Sequence, residues 1–145
     1  MMRDKLGLFG DDKNDQTLIN KLLDWMKSNN ADYTNTFCHL MGVKLDDEIY
    51  KNDDFKNWYN EWQKRLKLNN SSDKHLELMK KNNPVVIPRN HKVEEALTDA
   101  DKGNLKTMNK FLKVISNPYS VQENIIEFQK PAPISDEKYQ TFCGT

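Results

Sequence analysis

The chain has 145 residues and a mass of 17.1 kDa, enough for one domain that buries roughly two-thirds of the unfolded chain's surface. Lys plus Arg equal Asp plus Glu at 22 each, and the two signs interleave, which excludes the clustered excess of base that a nucleic-acid footprint requires. An apolar fraction of 37% and a mean hydropathy of -0.90 demand an economical core, yet three Trp, five Tyr and six Phe at zero net charge set the chain apart from disordered sequences.

No apolar run is long enough to span a bilayer, and the start "MMRDKLGLF" lacks the apolar region of a signal peptide. These features predict a cytoplasmic protein with no membrane partner. In that compartment Cys38 and Cys143 are expected as free thiols.

Helical spacing dominates the pattern. In "DQTLINKLLDWMKSNN" Leu18, Ile19, Leu22, Leu23 and Met26 follow one face, with Asp15 or Thr17 available as the cap. "ADYTNTFCHLMG" predicts a second helix, capped by Asp32 or Thr34, burying Phe37, Leu40 and Met41 and stopped by Gly42. "NDDFKNWYNEWQKRLKL" gives the clearest helix: Phe55, Trp58, Tyr59, Trp62 and Leu66 recur at three and four residues behind Asp53 as cap. Packing explains that aromatic stripe better than ligand binding does. Lys64, Arg65 and Lys67 read as its solvated face, and the acidic group Asp46, Asp47 and Glu48 as exposed. A shorter helix over "SSDKHLELMKKNN" carries Leu76 and Met79, is capped by Ser72 or Asp73, and breaks at Asn83 and Pro84.

"PVVIPRN" has a proline at each end of its apolar run and predicts an extended crossover over 84–89, since it can neither lengthen nor enter a sheet. Between that crossover and the next helix, Asn90 can cap free amides and Arg89 can reach a carboxylate or carbonyl. The helix has Val93, Ala96, Leu97 and Ala100 on one side and ends at Gly103 in the left-handed position. Asn104 then caps a partner helix whose Leu105, Met108, Leu112 and Ile115 face the same core, until Asn117 and Pro118 stop it. The two form a helical hairpin. The fold class is therefore all-α: a multi-helix domain over 1–118, with an irregular tail over 119–145 that packs on the body or on a partner.

Signatures of catalysis are missing. The five glycines, at 7, 10, 42, 103 and 144, are too scattered to cradle a phosphate, so no nucleotide-binding loop exists. His39, His75 and His91 stand far apart, and the adjacent Cys38 and His39 point to different faces of a helix, so no cofactor or metal site is expected in this chain. Cys38, between Phe37 and Leu40, reads as buried and inert. Cys143 differs. A thiol three residues from the end of the chain is poorly placed to hide, so it either docks with the tail or does chemistry.

Taken together, "KLGLF", "ADYTNTF", "NNPVVIPRNHKVEEAL", "NPYS" and the terminal "YQTFCGT" resemble, in order and spacing, the carboxyl-terminal part of the selenoprotein O family, also called the YdiU family. The likeness covers nearly the whole chain, and "IPRNHKVEEAL" and "TFCGT" are its most specific parts. The resemblance implies kinase-like proteins with a rearranged active site that move AMP from ATP to protein hydroxyls with a divalent metal. It places the catalytic, nucleotide and metal residues in a larger amino-terminal region, so this chain would be a non-catalytic helical part of such an enzyme, excised or truncated. It further implies that Cys143 matches a redox residue, selenocysteine in animal members, able to pair reversibly with a cysteine of the kinase-like region. One departure stands out: many members carry arginine where this chain has Cys38, so no role passes to Cys38.

Two other readings compete. A free-standing helical module could bind a partner protein helix in a groove. An independent thiol enzyme using Cys143 would need a nearby cation or helix start to lower the thiol's pKa.

Overall fold

The computed structural model describes residues 1–45, 48–68, 72–123 and 125–132. They form α1 (Met2–Lys5), α2 (Asp15–Ser28), α3 (Tyr33–Leu40), α4 (Asp53–Lys67), α5 (Ser72–Asn82), α6 (Asn90–Asp101), α7 (Lys106–Ile115) and α8 (Ile126–Gln129), with a 3-10 turn at Glu48–Lys51. No strand occurs among the described residues, so the fold is all-α. Helix α2 packs on α4, α1 on α5 and α6 on α7.

Helix α4 is the pillar of the core because its aromatic side chains are both large and able to donate. Phe55, Trp58 and Trp62 are buried. The Trp58 indole donates to the Leu18 carbonyl at 2.8 Å and Trp62 to the Leu6 carbonyl at 2.9 Å, which satisfies the N–H that burial would otherwise strand. The aromatic stripe is thus core, and its two tryptophans hold α2 and the N-terminal segment against α4.

Four of the described helices end in the same way. The residue past the cap takes a left-handed backbone at Gly7 (φ 69°), Asn30 (φ 50°), Gly42 (φ 78°) and Gly103 (φ 80°). The next residue's amide then reaches back five positions, from Leu8 to Arg3, Ala31 to Met26, Val43 to Cys38 and Asn104 to Asp99. This Schellman closure satisfies carbonyls that a helix end leaves open.

Several cap assignments change. Asn52, not Asp53, caps α4, its side chain accepting from the amides of Asp54 and Phe55. Asp15 does not cap α2 but is buried against Arg65. Arg89 holds the cap position of α6, and Asn90 is its first helical residue with an exposed side chain. Asp32 does cap α3, accepting from the Asn35 amide at 2.8 Å.

Arg65 is not solvated as expected. Its Nε lies 2.7 Å from Asp15, with both side chains less than a tenth exposed, and its Nη2 donates to the Phe9 carbonyl at 2.9 Å. Arg3 also reaches Asp15, at 3.2 Å. One buried carboxylate between two guanidinium groups ties the N-terminal segment to α2 and α4. In the hairpin, α7 buries Phe111 and Val114, whereas Leu97, Leu105 and Leu112 are exposed at 50%, 57% and 47%. The helix is rotated relative to the expected face because Phe111 meets Phe128 of α8, whose ring lies 5.9 Å away. Residues 125–129 are therefore not irregular: Ile125, Phe128 and Gln129 are buried, and a turn of helix carries two of them.

Replacing Asp15 by Ala leaves the buried Arg65 without its carboxylate, whereas Arg3 keeps Asp11, and should lower stability by about 3–5 kcal/mol, read as a shift of the urea midpoint. The pair Asp15→Leu with Arg65→Met removes both charges and should recover most of that loss.

Candidate functional site

The crossover lies at the centre of a polar junction. Residues 84–89 form a helix-free crossover that bends at Val85, with Val85 and Val86 buried, and the amides of both valines donate to the Pro118 carbonyl at 2.7 and 3.3 Å. Pro118 stops the segment after α7 and at the same time supplies the acceptor a strand partner would otherwise provide. At the end of the crossover, Arg89 forms a two-pronged contact with Asp32, Nη1 to Oδ2 at 2.7 Å and Nη2 to Oδ1 at 2.9 Å, and Nη2 also reaches Asn35 Oδ1 at 3.2 Å. Asn35 donates to the Gln129 carbonyl at 3.0 Å, and the Gln129 side chain donates to the Val85 carbonyl at 2.8 Å.

The segments "ADYTNTF", "NPVVIPRN" and "NPYS", far apart in the chain, thus meet in one network with residues 125–129. Asn83 extends it to the N-terminus, donating to the carbonyls of Lys5 at 2.8 Å and Met79 at 2.9 Å. Gly103 lies at the turn of the α6–α7 hairpin, where Asn104 accepts from the Lys106 amide at 3.1 Å.

The electrostatics are those of a structural clamp. Burial works to raise the Asp32 carboxyl, but hydrogen bonds from Arg89 and the Asn35 amide, with the Arg89 charge, hold it below the usual carboxylate range. Burial, helped by the Asp32 charge and opposed by Arg89, pushes the Cys38 thiol up to about 11. Its Sγ lies 3.8 and 3.7 Å from the carbonyls of Pro84 and Val85 in a fully buried position. Such a thiol is a small core residue, not a nucleophile. Burial, then Lys92 and Arg89, lower His91.

His75 was not singled out by its sequence position, although its spacing from Met79 puts both on one helix face. It is buried, its Nδ1 donates to the Gly7 carbonyl at 2.5 Å, and its Nε2 is enclosed without a partner among the described residues. Gly7 takes φ 69°, and a Cβ there would lie 2.9 Å from the His75 carbonyl oxygen. Among the described residues no three His, Cys, Asp or Glu side chains converge on a point that could hold a metal. No helix among the described residues is long and apolar enough to cross a membrane. Cys143 lies outside the described residues.

The family model for the protein adenylyltransferase SelO matches residues 1–116. The chain belongs to the SelO family. Relatives called protein nucleotidyltransferase YdiU run its whole length: that of Pelagibacter ubique is 55% identical over 147 residues, covering 100% of this chain and 30% of the relative. The Clostridium perfringens relative is 46% identical over 146 residues (99% of this chain, 30% of the relative), and the Nitrosococcus oceani relative 45% over 148 residues (100% and 30%). This SelO-family chain therefore spans about 30% of the length of the curated relatives it matches.

Two outcomes follow for the junction. In a Cys143→Ala variant, the remaining thiol should stay unlabelled by a disulfide reagent at about pH 8 in the native state and react once the chain is unfolded in guanidinium. Because the folded Asp32 pKa is depressed, its stabilising share is complete above the ordinary carboxylate pKa of about 4 and fades as pH falls through the folded value. Asn caps a helix as well as Asp does, so Asp32→Asn keeps the cap while removing the charge and one of the two acceptors of the Arg89 fork. The stability gap between wild type and variant should be constant above about pH 5 and narrow as pH falls below about 4 in urea titrations.

Proposed function

We propose that the chain is the non-catalytic helical carboxyl-terminal region of a SelO-type protein adenylyltransferase, which moves AMP from ATP to hydroxyls of protein substrates. The observation that carries this reading is identity of 55% along the whole chain to a protein more than three times as long. The residues of this chain do not fit a nucleotide or metal site: it has no glycine-rich loop, and no ligand set converges among the described residues. ATP and the divalent metal are accordingly assigned to a kinase-like region of the parent protein outside residues 1–145. That region and its protein substrates are the partners of the reading, with the cytoplasm as its compartment.

The junction supports the same reading. Arg89, Asp32, Pro118 and the asparagines around them direct most of their polar atoms to backbone and to one another, as parts of a scaffold do. Cys143 is assigned the redox role: its thiol would form a reversible disulfide with a cysteine of the kinase-like region, with two thiols losing two electrons and two protons to a cellular disulfide such as oxidised glutathione. The competing reading is the free-standing interaction module without enzymatic activity.

An antibody raised against this chain, used to blot an extract of the source cells, separates the two. A band several times heavier than 17.1 kDa is expected; a band at that mass would overturn the reading. With labelled ATP and a divalent metal, the full-length protein should transfer AMP to protein and the 145-residue chain should not. Cys143→Ser should remove any dependence of the full-length activity on added reductant.

A further inference from the structure

Beside the crossover lies a groove of about 690 Å3 with Met41, Val85 and Ile125 in its floor and Tyr119, Val121 and Ile126 along its wall. The wall residues are exposed at 52%, 68% and 59%. Their backbone is not loose. Pro118 accepts from Val85 and Val86, the Gln122 amide donates to the carbonyls of Val114 at 3.0 Å and Asn117 at 2.9 Å, and Gln129 donates to Val85. Three large apolar side chains are thus held in water by a pinned segment, the arrangement of a surface prepared for cover.

Lys44 and Lys80 line the same groove, and neither has an acidic partner among the described residues. The amides of Gln122, Gln129 and Asn83 are already spent on backbone carbonyls. Few directed donors remain for a small polar ligand, whereas apolar burial flanked by two cations suits a polypeptide. Most of a relative's length lies outside what this chain matches, so a polypeptide of the same molecule is at hand.

We propose that this groove docks the portion of the parent polypeptide outside residues 1–145, through a segment that sets apolar side chains against Tyr119, Val121 and Ile126 and carboxylates against Lys44 and Lys80. The inference rests on the chain being part of a longer adenylyltransferase.

Hydrogen exchange tests it on the full-length protein and on the 145-residue chain. Amides of residues 119–129 should exchange roughly tenfold or more slowly in the full-length protein. The variant Val121→Lys with Ile126→Lys, both exposed, should erase that difference and leave the short chain's unfolding midpoint unchanged. Lys44→Glu with Lys80→Glu is a second, milder variant and should reduce the protection. Equal exchange in the two proteins overturns the inference and leaves the reading of the chain as an enzyme part intact; a native polypeptide of 17.1 kDa overturns both. Two further outcomes also overturn it: faster groove exchange when the short chain is cut after Ala132, meaning its own tail is the occupant, or protection that grows with the short chain's concentration, meaning a second copy is.

Discussion

The paired contact between Arg89 and Asp32 is the constraint on which the second half of the molecule depends. Asp32 caps α3 through the Asn35 amide and also receives the Arg89 fork. One carboxylate therefore fixes both the start of α3 and the end of the crossover from which α6 departs. A lysine could not do this, because the geometry uses two nitrogens held in a plane. Around the pair the hydrogen bonds run onward through Asn35 and Gln129 to Val85, so the last described helix is tied to the same point.

A second buried charge pair does the corresponding work at the other end. Arg65 and Asp15 join α4 to α2, and the Arg65 contact with the Phe9 carbonyl and the Arg3 contact with Asp15 draw in the first residues of the chain. The tryptophans of α4 add Leu6 and Leu18 to that set. Both pairs are nearly buried, and both bind segments that have little regular structure of their own. A small domain with a modest apolar fraction uses directed contacts where a larger core would use area.

For a member of the SelO family this division of labour has a consequence. The segments that carry the family likeness within the described residues converge on backbone and on each other, which gives them a reason to recur that is independent of catalysis. Among its otherwise polar surface the body leaves several large apolar side chains exposed: Leu97, Leu105 and Leu112 on the hairpin, and Tyr119, Val121 and Ile126 beside the groove. Large apolar side chains grouped in this way on a polar surface are the feature on which the proposed docking rests.

The all-α class, the helix-free crossover, the aromatic core helix and the turn at Gly103 were readable from local signals: three-and-four spacing, proline at both ends of an apolar run, and glycine where a left-handed backbone is needed. Those signals act within a few residues, so sequence carries them directly. Asp15, Arg65, Asn90, Phe111 and His75 show where local reading stops. Asp15 could cap a helix or be buried against a cation 50 positions on, and only the packing of α2 on α4 puts Arg65 within 2.7 Å. Which face α7 buries was decided by Phe128, part of a segment whose short length gives no periodicity to read. Sequence by itself determined the longer helices, their stops and the family pattern; tertiary structure alone decided which charges pair, which apolar face is covered and which is left open, because those outcomes depend on residues that meet only after the chain has folded.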